Sequence, residues 1–157
     1  MSSVIDTNVL IVANGNSGHA SIDCELACID LLEKTTALAI VIDENTLIMS
    51  EYQKHCSHKG APGVGDMFFK YLHDNQHDPS SSILQVKINP IPDVKRSFSE
   101  LPENEFDLSD RKFLATAVAA NAEVINSTDS DWEEQSGLMQ QLDVTISQLC
   151  PDCNNKS

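Results

Sequence analysis

The sequence predicts an α/β fold: a three-layer α/β/α sandwich around a central, mostly parallel sheet. Short apolar runs alternate with segments of helical periodicity along the chain. Strands that alternate with helices are joined by right-handed crossovers, which produce a parallel sheet with helices on both faces. The length suits one domain with its own core. We expect that domain to cover residues 1–149 and a polar tail to cover residues 150–157.

The apolar runs and turn formers define the expected elements. Strands are expected at residues 4–5, 37–42, 83–88, 122–126 and 144–146. Helices are expected at residues 7–13, after Ser21, and at residues 44–55, 66–75, within 106–121 and 133–141.

Two caps and two apolar faces justify the helices in the first half of the chain. Ser21 is a typical N-cap, and Asp43 follows a strand where it can cap the next helix. The helix after Ser21 is expected to bury Ile22, Leu26, Ile29 and Leu32. The helix over residues 66–75 is expected to bury Met67, Phe68, Tyr71 and Leu72.

The charge of the chain excludes one mode of nucleic-acid binding. The 157 residues include 24 Asp and Glu against 10 Lys and Arg, a formal net charge of −14. Such a protein repels polyanions, so we do not expect a broad basic binding patch, and a phosphate substrate would require a metal bridge. The apolar runs are too short to cross a bilayer, and no basic and apolar leader begins the chain. We expect a cytoplasmic protein without membrane contact.

The five cysteines are Cys24, Cys28, Cys56, Cys150 and Cys153. An odd number at irregular spacing is a poor disulfide framework and favours free thiols in a reducing compartment. Cys150 and Cys153 form one Cys-x-x-Cys pair, which is half of the ligand set of a zinc ribbon, but the sequence has no second pair to complete it. Since only Cys24 and Cys28 remain as partners, a zinc site is the less favoured interpretation.

Four acids are expected to meet at one edge of the sheet. Asp6 and Asp129 follow strands, Asp110 lies at a helix start, and Glu51 lies beside the apolar face of a helix. The carboxyl ends of parallel strands share one edge, so these side chains can converge. Two ionised carboxylates about 4 Å apart repel by about 4 kcal/mol at an effective dielectric of about 20, which a divalent cation relieves. Oxygen ligands favour Mg²⁺ or Mn²⁺.

Helix capping explains isolated acids of this kind as well, and each position has a neighbour that competes with it. Asp131 competes with Asp129 and is a further candidate metal ligand. Asp107 lies close to Asp110, and Glu44 lies close to Glu51.

Four segments resemble, in order, the successive acidic motifs of the PIN-domain ribonuclease family. They are residues 4–10 (Val-Ile-Asp-Thr-Asn-Val-Leu), 50–52 (Ser-Glu-Tyr), 110–115 (Asp-Arg-Lys-Phe-Leu-Ala) and 126–132 (Asn-Ser-Thr-Asp-Ser-Asp-Trp). The resemblance spans nearly the whole chain. It implies a metal-dependent endoribonuclease that cleaves single-stranded RNA, with an acidic set of Asp6, Glu51, Asp110 and Asp129.

The resemblance also implies supporting residues and partners. Thr7, Asn8 and Thr128 would orient carboxylates by hydrogen bonds, although capping explains them equally well. Arg111 and Lys112 would contact phosphate, with solvation on the helix surface the alternative for at least one of them. Family members often act as toxins of toxin–antitoxin pairs and often dimerise. We therefore expect an antitoxin or other basic partner and a homodimer.

Two other functions remain open at this point. A PIN-like module without catalysis would serve as a binding or scaffold domain. A haloacid-dehalogenase-like phosphatase also begins with a strand that ends in Asp, but that family has a second Asp where this chain has Asn8.

Overall fold

A computed structural model describes residues 2–18, 20–34 and 37–151. Its strands are β1 Ser2–Ile5, β2 Ala39–Asp43, β3 Ile83–Val86, β4 Glu123–Asn126 and β5 Ile146–Gln148. Its helices are α1 Thr7–Ala13, α2 Ile22–Glu33, α3 Leu47–Gln53, α4 Val64–Asn75, α5 Arg111–Ala120, α6 Asp131–Glu134 and α7 Ser136–Gln141. A 3₁₀ turn, Leu108–Asp110, precedes α5.

The five strands form one parallel sheet in the order β3-β2-β1-β4-β5. Helices α1, α2 and α4 pack on one another, whereas α5 packs along β1, β2, β3 and β4. The chain moves from β1 towards β3 and then reverses to β4 and β5, so right-handed crossovers place α5 on the face opposite α1, α2 and α4. The expected three-layer sandwich is confirmed.

The change of direction lies between β1 and β4, where ligand crevices form in open parallel sheets. The register aligns Ile5 with Ile125, and the backbone N–H of Asp6 donates to the carbonyl of Ile125 at 3.0 Å. Asp6 therefore leaves β1 beside the end of β4.

The N-cap role of Ser21 is confirmed, whereas Thr46 occupies the N-cap position of α3 and Asp43 caps that helix through its side chain from three residues earlier. The Ser21 hydroxyl accepts a hydrogen bond from the backbone N–H of Cys24 at 3.1 Å. The Asp43 carboxylate accepts from the backbone N–H groups of Leu47 at 3.0 Å and Ile48 at 2.8 Å. Helix α3 begins at Leu47 rather than at residue 44, because Thr46 has a left-handed backbone with φ of 63°.

Several expected faces and boundaries are wrong. Ile22 and Leu26 are 76% and 57% exposed, because α2 turns Cys24, Cys28 and Leu32 towards the core instead. Met67 is also exposed. The expected helix over residues 133–141 is two short helices, α6 and α7, and the last strand begins two residues later than expected, at Ile146.

The expectation of free thiols is wrong for Cys24 and Cys150, which form a disulfide between α2 and the segment after β5. Cys150 is buried and packs in the core. Residues 152–157, which include Cys153, lie outside the described residues. Among the described residues, no helix is both long and apolar enough to cross a membrane.

Arg111 holds the long connection between β3 and α5. Its buried guanidinium donates to the carbonyls of Phe106 at 2.9 Å, Val94 at 2.7 Å and Asn104 at 3.1 Å, and to the Ser97 hydroxyl at 3.0 Å. These hydrogen bonds are charge-assisted. They organise residues 87–107, which contain no helix or strand.

We expect Arg111→Lys to lower the free energy of unfolding by about 2–4 kcal/mol, because a lysine cannot reproduce the planar fork and leaves buried carbonyls unpaired. Arg96→Lys is the matched control, since Arg96 also donates to two carbonyls but is less buried. The Arg96→Lys substitution should lower the free energy of unfolding by less than about 1 kcal/mol. Urea unfolding measures both, and equal losses would contradict this role of Arg111.

Candidate metal centre

Three of the four predicted acids meet at the crevice between β1 and β4. Carboxylate oxygens of Asp6, Asp110 and Asp129 all lie within 4.8 Å of one another. Asp6 follows β1, Asp129 lies in the turn after β4, and Asp110 ends the 3₁₀ turn before α5. Asp6 is 3% exposed and the other two are partly buried. The convergence predicted from strand ends therefore holds for these three residues.

A tryptophan fixes the orientation of the Asp6 carboxylate. The indole N–H of Trp132 donates to Asp6 Oδ2. The Trp132 ring is fully buried and meets Phe106 edge to face at a centroid distance of 4.6 Å. A buried indole needs a partner for its N–H group. Trp132 was not among the predicted site residues, although the single tryptophan of the sequence, directly after Asp129 and Asp131, was a usable signal.

Hydrogen bonds from the Asn8 side chain fix the position of the turn that contains Asp129. Its Nδ2 donates to the Asn126 side-chain oxygen at 2.8 Å, and its Oδ1 accepts from the backbone N–H and hydroxyl of Ser127 at 3.0 Å and 2.7 Å. Asn126 Nδ2 in turn donates to the carbonyl of Asp129 at 2.7 Å. Asn8 Nδ2 also lies 3.4 Å from Asp6 Oδ2. The predicted role of Asn8 in orienting carboxylates agrees with these contacts, whereas Asn126 and Ser127 were missed.

The Thr7 side chain does not make the hydrogen bond to a carboxylate that was predicted for it. Its Oγ1 is buried and finds no hydrogen-bond partner within the described residues, so the hydroxyl orients no carboxylate there. The backbone N–H groups of Thr7 and Asn8 instead favour the ionised form of Asp6. Thr128 is partly exposed in the same turn as Asp129, and its role stays a prediction.

The three carboxylates cannot all ionise easily without a cation. Burial raises the pKa of Asp6 to about 7, with the Asp129 charge adding to the rise and the Trp132 hydrogen bond opposing it. Burial and, to a smaller extent, the charges of Asp6 and Asp129 together raise the pKa of Asp110 to about 9. The protonated forms are favoured because burial and like charges both disfavour the anion.

The predicted fourth acid, Glu51, does not join this cluster. Its carboxylate instead pairs with Lys112 at 3.1 Å, Lys54 at 3.4 Å and the His55 ring at 3.7 Å. Partial burial alone would raise the pKa of Glu51, but the hydrogen bonds and charges of Lys112 and Lys54 lower it. Its competitor Glu44 is exposed and follows β2 directly.

The predicted phosphate contacts of α5 need correction. Arg111 is 5% exposed and its guanidinium binds protein carbonyls, so phosphate contact and surface solvation are both wrong for this residue. The Lys112 side chain is 15% exposed, and its ammonium group also donates to the carbonyl of Ser109 at 2.7 Å. Lys112 therefore links α5 to Glu51 on α3 instead of extending into solvent.

Asp131 and Asp107 lie beside the cluster and not within it. Asp131 lines an open groove of about 240 Å³ together with Glu105, Phe106, Asp107, Glu134 and Gln135. Its backbone N–H donates to Asp129 Oδ1 at 2.9 Å. Asp107 accepts from the backbone N–H and hydroxyl of Ser109 at 2.9 Å and 2.6 Å, and so caps the 3₁₀ turn. Geometry thus selects Asp129 and Asp110 over their competitors.

Comparisons of the chain with protein-family models, with curated proteins and with solved structures find no match. The case for a site therefore depends on the geometry of the cluster. The resemblance of four short segments to PIN-domain motifs stays a prediction.

We expect the free energy of unfolding of the chelator-treated protein to fall as the pH rises from about 4 to about 9. Asp6 and Asp110 have pKa values in the fold above the value near 3.8 of an exposed Asp. Their protonation thus stabilises the fold fully below about pH 4, and this stability is lost as the pH rises through about 7 and about 9.

Asp110→Asn should flatten this decline and, at pH 8, raise the melting temperature by at least about 2 °C, or roughly 1 kcal/mol for a domain of this size. Asp78→Asn is the matched control, because Asp78 is exposed, hydrogen bonds from Ser80 lower its pKa, and its charge does not act on Asp110, so this variant should not flatten the decline. Thermal unfolding across this pH range measures the effect. A pH-independent parent protein would contradict the assignment.

Proposed function

We propose that this protein is a divalent-metal-dependent endoribonuclease of PIN-domain type that hydrolyses phosphodiester bonds of single-stranded RNA. The observation that carries the proposal is the cluster of Asp6, Asp110 and Asp129 at the β1–β4 crevice. The choice of RNA follows from the resemblance of the four acidic segments to the PIN family.

The donor set fits Mg²⁺ or Mn²⁺. Asp6, Asp110 and Asp129 offer only carboxylate oxygens, which are hard ligands suited to these ions and less to zinc. The Thr7 hydroxyl, which has no hydrogen-bond partner in the described part of the chain, is buried next to Asp6 in sequence, where an ordered water can satisfy it. Bound there, the cation would neutralise the phosphodiester and lower the pKa of the attacking water.

The protein residues around the cluster have separate tasks in this proposal. Trp132 and Asn8 keep the Asp6 carboxylate in one orientation. The Asn8–Ser127 hydrogen bonds keep the Asp129 turn beside it. Glu51 acts through Lys112, holding the first turn of α5 against α3 next to Asp110.

Electrostatics restrict how a polyanion reaches this site. The net charge is −14, and the groove beside the cluster is lined by Glu105, Asp107, Asp131 and Glu134. Phosphate is therefore held mainly by the cation and little by basic side chains, so we expect a weak dependence of RNA affinity on monovalent salt. The same groove suits a basic segment of a partner such as an antitoxin. A toxin role and a homodimer remain parts of the proposal that follow from the resemblance. A cytoplasmic location stays an expectation from the number and spacing of the cysteines.

The phosphatase interpretation is less favoured, and the reason lies at Asn8. Its amide is held by Asn126 and Ser127, in the place where that family has a second Asp as its acid. The scaffold interpretation is decided by the experiments below.

We expect Mn²⁺ to quench the fluorescence of Trp132, the single tryptophan, saturably, because its indole contacts the Asp6 carboxylate. Mg²⁺ should displace Mn²⁺ and restore the signal. Asp110→Asn should weaken Mn²⁺ binding by at least about tenfold, and Asp78→Asn, which changes an exposed carboxylate outside the cluster, should leave it unchanged. Linear, collisional quenching in the parent protein would exclude a metal site at Asp6.

We expect the purified protein to cleave an unstructured RNA with Mg²⁺ or Mn²⁺ and not with a chelator. Asp6→Asn and Asp129→Asn should each lower the rate by at least about 100-fold, the upper end of the loss when outer ligands of metal sites are removed. Glu134→Gln is the control, since Glu134 lines the adjacent groove and is not in the cluster. A parent protein that binds Mn²⁺ but cleaves nothing favours the scaffold, and an unimpaired Asp6→Asn shows that the site is wrong.

A further inference from the structure

A cavity that the proposed metal site does not use lies between the ends of α1 and α3 and the start of α4. It has a volume of about 310 Å³, and its lining includes Asn14, Asn16, Gln53, Lys54 and His55. We call it the α3 cavity. Ligand pockets in proteins begin at about 300 Å³, so this cavity has room for a small ligand or for one unit of a larger one.

The segment that forms one wall of the α3 cavity is basic, although the protein is acidic. Residues 52–65 contain Lys54, His55, His58 and Lys59 and no Asp or Glu, in a chain with a net charge of −14. All four basic residues are exposed, and Lys54 and His55 line the cavity itself. A phosphate group beside this wall therefore meets less repulsion than in the acidic groove next to the metal cluster.

An acid, Asp66, also lines the α3 cavity, but its carboxylate is used by the protein. It is 4% exposed and accepts from the backbone N–H groups of Ser57 at 2.7 Å and Gly63 at 2.9 Å, and from Asn14 Nδ2 at 3.4 Å. A Cβ atom at position 63 would overlap the Asn14 side chain, so this arrangement requires glycine there. The loop between α3 and α4 is thus fixed, and the cavity exists before a ligand binds.

A short chain of contacts leads from the acidic cluster to the α3 cavity. Lys112 follows Asp110 closely in the first turn of α5 and contacts the Glu51 carboxylate at 3.1 Å. Glu51 in turn contacts Lys54 at 3.4 Å and the His55 ring at 3.7 Å, and both of these side chains line the cavity. An RNA strand with one phosphate at the cluster can therefore place a neighbouring nucleotide in the cavity.

We propose that the α3 cavity holds one unpaired base of the RNA substrate, stacked on the His55 ring, with Lys54 on the adjacent phosphate. The choice of RNA rests on the proposed function. Histidine is among the side chains on which unpaired bases stack, and the His55 side chain is 40% exposed. The amides of Asn16 and Gln53 each offer donors and an acceptor to the edge of a base.

The ion pair between Lys54 and Glu51 does not prevent this role. The Lys54 side chain is 68% exposed, and an ion pair of an exposed lysine contributes little, so its ammonium group can move to a phosphate at low cost. One such contact adds only about −0.7 to the slope of log K against log salt concentration for a single strand. The weak salt dependence expected for RNA binding is therefore kept.

Proton NMR of the histidine rings tests the subsite in the chelator-treated, full-length protein. The probes are AMP, CMP, GMP, UMP and ribose 5-phosphate, and the His55 signals are assigned with His55→Gln. We expect at least one nucleotide to shift the His55 signals saturably, as a stacked base does, and ribose 5-phosphate to leave them in place. The ring of His77, which is exposed and outside the cavity, is the internal control. Absence of the shift, or an equal shift with ribose 5-phosphate, overturns the proposal.

RNA cleavage kinetics supply the second measurement. His55→Ala should raise KM by at least about fivefold, the lower end for loss of one stacked base, and leave kcat within about twofold. His77→Ala should change neither. An unchanged KM in His55→Ala also contradicts the subsite.

The two measurements separate the subsite from the proposed function, because the nucleotide titration needs neither metal nor cleavage. A protein that cleaves RNA but whose His55 signals no nucleotide shifts keeps the ribonuclease function and loses the subsite. A protein that binds a nucleotide at His55 but cleaves no RNA keeps a nucleotide site and loses the ribonuclease function.

Discussion

The hydrogen bond between the Trp132 indole and the Asp6 carboxylate joins residues 126 positions apart at the point where the sheet changes direction. Asp6 is almost fully buried, and an isolated buried carboxylate is unfavourable unless hydrogen bonds or a cation compensate its charge. The indole supplies one hydrogen bond, and the first N–H groups of α1 oppose the rise in its pKa. Burial and the charge of Asp129 still raise the pKa of Asp6, and burial and the charges of Asp6 and Asp129 raise the pKa of Asp110, so the crevice favours protonated carboxyl groups unless a cation is bound.

The turn after β4 depends on the same constraint. Asn8 leaves the first turn of α1 and pairs with both Asn126 and Ser127, so the ends of two neighbouring strands are fixed relative to each other. Tyr52, from α3, adds a third element, since its buried hydroxyl donates to the carbonyl of Ile5 at 2.5 Å. The position of Asp6 is therefore set by contacts from α1, α3 and α6. Such support is what a site needs if its carboxylates are to keep one geometry.

Two basic side chains on α5 are used inside the protein. Arg111 organises the long connection before α5, and Lys112 neutralises Glu51. Their sequence neighbourhood, directly after Asp110, suggested contact with phosphate, but a helix start does not reveal whether a long cation extends outwards or folds back onto carbonyls. Because neither side chain extends into the crevice, the crevice keeps its acidic character. In the proposed function, a bound cation would supply the positive charge that basic side chains do not supply there.

The sequence by itself determined the class of fold, the parallel sheet and the meeting of Asp6 with Asp110 and Asp129, because strand ends in such a sheet share one edge. It also determined the caps at Ser21 and Asp43, which depend on local hydrogen bonds. Only the tertiary structure decided that Glu51 pairs with Lys112, that Trp132 contacts Asp6, and that α2 buries its cysteines instead of Ile22 and Leu26. These outcomes depend on contacts between residues far apart in the chain, and local patterns of polarity and spacing do not specify which distant side chain a given face will meet.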